Sequence, residues 1–215
     1  MKITLLIVIA ILAIIVTFGI SLYFYPQLPE QMPSHWNLQG QINGYMPKNV
    51  ELLFAPLLMT GMLVLFQVLP KLDPCRANYA FFRKEYEIIQ LGLIVFFGFI
   101  HLLVIYASLH QNFPVSSLII MAVGALFVLI GSCLLKIRQN YFIGIRVPWT
   151  INNEENWNKT HQFGGWCFIV AGLVLFFMGI LPSQLKLVFL LAPILVAALL
   201  PVGYSYWLYR QSLAH

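Results

Sequence analysis

The sequence predicts an all-α, polytopic membrane protein: about six transmembrane helices with one outer and one inner structured loop. Three observations carry this. Apolar residues make up 60% of the chain and charged residues only 9%, with a mean hydropathy of +0.85, whereas in soluble domains roughly a quarter of residues are charged. Apolar runs of about 20 residues recur, each matched to the roughly 30 Å of hydrocarbon that a helix crosses at ~1.5 Å per residue. Two polar stretches stand apart from these runs, Pro26 to Asn49 and Asn140 to Gly165, and both are rich in Gly, Pro, Trp and His. The lipid bilayer is therefore the first partner. The net charge of +5 is distributed as membrane topology requires, and direct nucleic-acid binding is not part of this reading.

The first span runs from about Ile3 to Tyr25. It is too long for a signal-peptide apolar region and lacks a small-residue cleavage site, so it is expected to stay as an anchor. Tyr23, Phe24 and Tyr25 close it with rings suited to headgroup depth. Four prolines, Pro26, Pro29, Pro33 and Pro47, make the next stretch a compact, turn-rich loop. The second span, about Glu51 to Pro70, contains Pro56, which a membrane helix tolerates when a neighbour re-satisfies the freed carbonyl. A basic link, Lys71 to Glu87, leads to the third span, about Ile88 to Leu109, and the fourth covers about Ser116 to Leu135. The fifth, about Gly165 to Leu181, and the sixth, about Leu187 to Tyr209, are joined by a tight Pro182-Ser183-Gln184 turn.

Positive charge orients the spans. With a cytoplasmic N-terminus, Lys2, Lys71, Arg76, Arg83, Lys84, Lys136, Arg138, Arg146, Lys159 and Arg210 lie inside, leaving Lys48 and Lys186 outside, ten against two. The Pro26–Asn49 loop then faces out, while Asn140–Gly165 and the C-terminus face the cytoplasm of a multi-pass plasma-membrane protein. The division expected is residues 1–70, an N-terminal helix pair with the outer loop, and residues 71–215, a four-helix region with the inner loop. The three cysteines, Cys75, Cys133 and Cys167, lack metal-ligand spacing and lie near the reducing side, where thiols stay free.

In the outer loop, Gln39-Gly40 and Asn43-Gly44 are turn signals, the second favouring a tight reversal at positive φ. His35-Trp36-Asn37 sits before them. One reading makes His35 and Glu30 a polar cluster able to bind a peptide or a metal, with Trp36 as an anchoring ring. The other makes Trp36 and Tyr45 interfacial rings, with His35 and Asn37 bonding the backbone of a turn. A lone histidine is not a metal site.

In the inner loop, Asn152 is placed as an N-cap with Glu155 completing a capping box, and Pro148 keeps a helix from starting sooner. A short helix is expected from Asn153 to about Phe163, ending in a bend at Gly164-Gly165. Trp157 and His161 share one face, and Glu155 pairs with Lys159 on another. Arg146 stands ready to clamp a carboxylate, stack on Trp149 or bind a lipid phosphate. Against this stands a plain membrane-surface elbow.

The two segments, LPEQMPSHWNLQGQINGYMPK and IGIRVPWTINNEENWNKTHQFGG, resemble in order the hallmarks of the bacterial SdpI immunity-protein family. The likeness, with its six spans, covers nearly the whole chain. The outer segment resembles a small N-terminal domain of unknown function, with a pattern matched by Pro33, His35, Trp36, Asn37, Gly40, Gly44 and Tyr45. It departs at Asn43, where aspartate is usual. The inner segment matches at Gly144, Arg146, Pro148, Trp149, Thr150, Glu155, Trp157, Thr160, His161 and Gly164-Gly165. The resemblance implies protection against a secreted peptide toxin, with the outer residues facing the toxin. It also implies signalling, with the inner residues holding a cytoplasmic transcriptional repressor at the membrane. It implies no catalysis, cofactor or metal.

Two other classes compete. A membrane hydrolase would use His161 with Glu154 or Glu155 as acid and base, though no nucleophile motif or zinc signature accompanies them. A small transporter would use His101 as an intramembrane contact, though a hydrogen-bonded packing role fits that residue better.

Overall fold

The computed structural model describes residues 3–37, 39–110, 113–181 and 190–213. Its elements are helix α1 Leu5–Phe24, strands β1 Gln31–Trp36 and β2 Ile42–Pro47, then helices α2 Lys48–Leu72, α3 Tyr79–Leu109, α4 Val115–Leu134, a one-turn α5 Pro148–Ile151, α6 Glu154–Met178 and α7 Leu191–Ser212. Among the described residues, six of these helices are long and apolar enough to cross a membrane. The polytopic helical class is as expected. The expected turn at 182–184, and the first residues of the sixth span, lie outside the described residues.

Successive long helices run in alternating directions. Hence the β1–β2 hairpin gathers the end of α1, the start of α2, the end of α3 and the start of α4, whereas residues 135–153 sit at the opposite end beside the starts of α3 and α6. The start of α1 is at that second end too, where the Thr4 hydroxyl donates to Glu87 at 2.8 Å. So is the end of α7, where Ser205 meets Trp149 and Asn156.

Helix α2 contains Pro56 and Pro70. Proline has no N–H, so each leaves the carbonyl four residues earlier without its helical donor. Neighbouring helices supply the replacements. Ser21 of α1 donates to the Leu52 carbonyl at 3.0 Å, and Tyr86 of α3 donates to the Phe66 carbonyl at 2.8 Å. The sequence's polar interruptions in span two are thus the points that fasten α2 to α1 and α3.

The most extensive helix contact is α4 with α6, and glycines make it. A Cβ on Gly124 would stand 2.5 Å from the Phe176 nitrogen, and one on Gly131 would stand 2.6 Å from the Gly165 carbonyl oxygen. Small residues let two membrane helices touch along their backbones, where dispersion rather than water exclusion drives association. This corrects the expected bend at Gly164-Gly165: α6 is one helix through both, with Gly165 serving the crossing with α4 and Gly164 making room for Ile145 and for Pro201 of α7. Helix α3 likewise begins at Tyr79 rather than Ile88, with a kink at Phe82 (φ −132°, ψ 26°), because the aromatic residues before Ile88 pack as a core. Phe82, Tyr86 and Trp157 are central to that core.

Candidate functional site

The polar stretch at the hairpin end folds as paired strands and not as a loop of turns. Residues Met32↔Met46, Pro33↔Tyr45 and His35↔Gly44 face each other, with an irregularity at Ser34. The prolines are tolerated because a two-stranded ribbon leaves edge positions with no ladder bond to lose. Gly40, at φ +82°, carries the reversal, so the expected positive φ at Gly44 is corrected. Asn37 organises that reversal: its Oδ1 accepts the Gln41 N–H at 2.8 Å and its carbonyl accepts the Gly40 N–H at 2.9 Å. Gly44 is needed for another reason. A Cβ there would lie 3.0 Å from the His35 Cβ across the ribbon. His35 Nδ1 donates to Asn43 Oδ1 at 2.5 Å, so the asparagine at this position serves as an acceptor for the histidine.

The ribbon is seated by its apolar foot. Met32 is buried with Leu28, Leu52, Val104 and Ile105, and Trp36 packs against the same cluster. Lys48 closes the base through an ion pair with Glu30 at 2.8 Å. Tyr45 stays exposed. Beneath the ribbon lies a pocket of about 610 Å³, walled by His35, Trp36 and Asn37 above and by residues of α2, α3, α4, α6 and α7 around it. Its volume is in the usual range for small-ligand sites. Glu51 and His101 are among its walls; the sequence reading passed over Glu51 as a site residue and weighed His101 only as a transporter contact. An acid within an apolar span was the signal available for Glu51.

The other end is a lock of backbone and side chain. Asn140, 0% exposed, donates to the carbonyls of Arg138 and Ile143 at 2.9 Å each and accepts the N–H groups of Phe142 and Ile143. Asp73, also buried, accepts from the Cys75 and Tyr141 N–H groups and the Tyr79 hydroxyl at 2.7–2.9 Å. Neither residue was singled out in the sequence. A lone aspartate in a Lys/Arg-rich link was the only hint.

His161 and Trp157 do share a face, stacked with centroids 4.0 Å apart, but that face points inward. They are 1% and 0% exposed. His161 Nδ1 donates to the Trp157 carbonyl at 2.8 Å, Nε2 accepts the Ile145 N–H at 2.9 Å, and Trp157 Nε1 donates to the Ile137 carbonyl at 3.0 Å. Both ring nitrogens of His161 are thus taken by backbone, which leaves neither for proton transfer. Gly144, at φ +116°, is what allows the approach: a Cβ there would stand 2.3 Å from His161 Nε2.

Pro148 starts a helix rather than delaying one. It opens α5, whose Thr150 hydroxyl accepts the Val147 N–H at 3.0 Å. The N-cap of α6 is Asn153, one residue later than expected, with Oδ1 accepting the Asn156 N–H at 2.9 Å. Thr160 is buried and bonded to Asn156. What remains at the surface is Arg146, which donates to the Tyr141 carbonyl at 2.6 Å, with Pro148, the half-buried Trp149 and the Glu155–Lys159 pair at 2.7 Å. Trp149 is held by Ser205 at 2.7 Å and stacks on Tyr209.

Among the described residues no group of three or more His, Cys, Asp or Glu side chains is placed to hold a metal ion. Cys75, Cys133 and Cys167 are free thiols.

Comparison with known proteins gives matches at both ends of the chain. Residues 136–205 match the SdpI/YfhL protein family, and residues 5–60 match a domain of unknown function, DUF1648. A relative from Bacillus subtilis (strain 168), Immunity protein SdpI, is 21% identical over 204 residues, covering 95% of this chain and 96% of the relative. No solved structure matches.

Proposed function

This chain is an SdpI-type protein, and from that premise we propose that it protects a bacterial cell, from within its membrane, against a secreted peptide toxin. The observation that carries the reading is the extent of the likeness to Immunity protein SdpI of Bacillus subtilis, which runs over 95% of the chain. The hairpin faces outward, as the ten-to-two division of basic residues supports. Pro33, His35, Trp36, Asn37, Gly40, Gly44 and Tyr45 then present an ordered ribbon, and the pocket below it, to the side from which a toxin arrives.

Both chain ends and the loop of residues 135–153 face the cytoplasm. There Arg146, Pro148, Trp149 and Glu155 form the surface offered to a transcriptional repressor. Gly144, Thr150, Trp157, Thr160 and His161 keep that surface in shape from beneath. Beyond its kink at Phe82, helix α3 runs unbroken between the two ends over about 40 Å at ~1.5 Å per residue, which is the minimum connection for coupling one site to another.

The test is survival. A Bacillus subtilis strain lacking its own Immunity protein SdpI, but expressing this chain, should grow beside toxin-secreting wild-type cells. Death at the rate of the empty-vector strain, with the chain present in the membrane, would reject the reading.

A further inference from the structure

We propose that the pocket beneath the hairpin receives the amine-bearing end of an apolar peptide, with the Glu51 carboxylate and His101 Nδ1 as its polar anchors. This rests on the reading above and names the chemistry of the ligand that the toxin-facing side accepts. The wall is mainly apolar, with Phe54, Phe97 and Ile120 among its residues, so the body of the ligand is apolar. The polar groups set what its end must be.

Glu51, 9% exposed, sits in the first turn of α2 and has no hydrogen-bond or ion-pair partner among the described residues. His101 is 2% exposed, and its Nε2 lies 2.8 Å from Ser21 Oγ. That hydroxyl has one hydrogen, and two carbonyl oxygens lie within reach, Leu52 at 3.0 Å and Thr17 at 3.1 Å. The Thr17 carbonyl already takes the helical N–H of Ser21, whereas Pro56 leaves the Leu52 carbonyl without its helical donor, so the Ser21 hydrogen goes to Leu52 and Ser21 Oγ accepts Nε2–H from His101. The ring's other nitrogen is then a bare acceptor, and among the described residues His101 Nδ1 is the buried side-chain polar atom without a partner.

Two acceptors therefore line a mainly apolar pocket, and among the described residues neither the Glu51 carboxylate nor His101 Nδ1 is bonded to a donor or cation of the chain. A buried acceptor left unmade is costly, and a charged donor relieves that cost most. A primary ammonium fits: it is compact and carries three N–H groups and one positive charge. A metal ion does not fit, since no third ligand is placed for it among the described residues. On an apolar peptide the group is the α-amine or a lysine.

The experiment uses the full chain in phosphatidylglycerol nanodiscs. The probe is a ten-residue Leu/Ala peptide with a free α-amine and a C-terminal fluorophore, compared with its N-acetylated twin. The wild-type chain should bind the free amine about tenfold more tightly than the twin. Glu51→Gln should reduce that preference to about twofold or less. His101→Gln, whose amide nitrogen replaces Nε2 against Ser21 but offers nothing at Nδ1, should weaken it about threefold or more. Equal binding of the twins by the wild-type chain, or an undiminished preference in Glu51→Gln, overturns the proposal. So does loss of peptide binding when phosphatidylethanolamine is added to the nanodiscs, because the amine held would then be a lipid's. The survival assay separates this from the immunity reading. A chain that discriminates the amines yet protects no cell keeps the pocket and rejects immunity, whereas full protection by Glu51→Gln keeps immunity and removes the ammonium site.

Discussion

The Tyr86 hydroxyl donates at 2.8 Å to the Phe66 carbonyl, the one that Pro70 leaves without its helical N–H. Tyr86→Phe should therefore strand a buried acceptor and destabilise the protein by about 1–3 kcal/mol. Pro70→Ala returns the missing N–H to α2. In the double variant the Tyr86→Phe penalty should shrink to well under half, a coupling read from midpoints of detergent unfolding of the four proteins. Additive effects would mean that the hydroxyl and the proline gap are unrelated.

Gly144 makes a second test at the loop end. Its φ of +116°, and the 2.3 Å that would separate a Cβ at this position from His161 Nε2, combine backbone strain with loss of the Ile145 N–H bond. Gly144→Ala should cost about 3 kcal/mol or more. Gly40→Ala is the control: it also has positive φ, but a Cβ there meets only Ser116 Oγ at 3.9 Å, so strain alone, about 1 kcal/mol, is expected. Thermal unfolding in detergent should rank the two in that order.

The membrane spans were legible because a bilayer imposes length and apolarity on every segment that crosses it. The hairpin was less so. Proline and glycine read as turn residues, and nothing local says that Asn37 and Gly40, not Asn43 and Gly44, make the reversal. The register is set by Met32 seeking the buried cluster beneath it. At the other end the pairing of Trp157 with His161 follows from helical spacing, but the direction in which they point does not. That depends on Gly144, on the 135–140 segment folding back, and on the close α4–α6 crossing. Gly131 and Gly165 meet across about 34 residues of chain, a contact that helical periodicity alone does not encode.

Orientation in the membrane has a direct check at two exposed positions. Gln31 lies on the hairpin and Asn152 just before α6, and neither side chain is buried. With the three native cysteines replaced by alanine, Gln31→Cys should react with a membrane-impermeant maleimide in intact cells, and Asn152→Cys only after lysis. Since both sites are open to solvent, a difference between them reports the side of the membrane and not burial. The opposite pattern would invert the whole assignment, and with it the toxin-facing role of the hairpin.

The loop end separates shape from output. His161 is held between the Trp157 carbonyl and the Ile145 N–H, so His161→Ala leaves the Ile145 N–H unmet and a void beside the stacked Trp157, whose carbonyl keeps its helical bond. It should destabilise the fold by about 2–4 kcal/mol, and any loss of signalling would follow from that. Arg146 is different. It is exposed and, among the described residues, its hydrogen bond is to the Tyr141 carbonyl, so Arg146→Ala should leave the unfolding midpoint almost unchanged. If the surface of Arg146, Trp149 and Glu155 holds a cytoplasmic repressor, this variant should keep protecting cells while the repressor moves from the membrane to the soluble fraction on cell fractionation. Arg146→Lys sharpens the test, because it keeps the charge and loses the planar fork that a bidentate or stacked contact needs. A repressor that stays in the membrane fraction with both variants would confine these residues to anchoring the loop at the membrane surface.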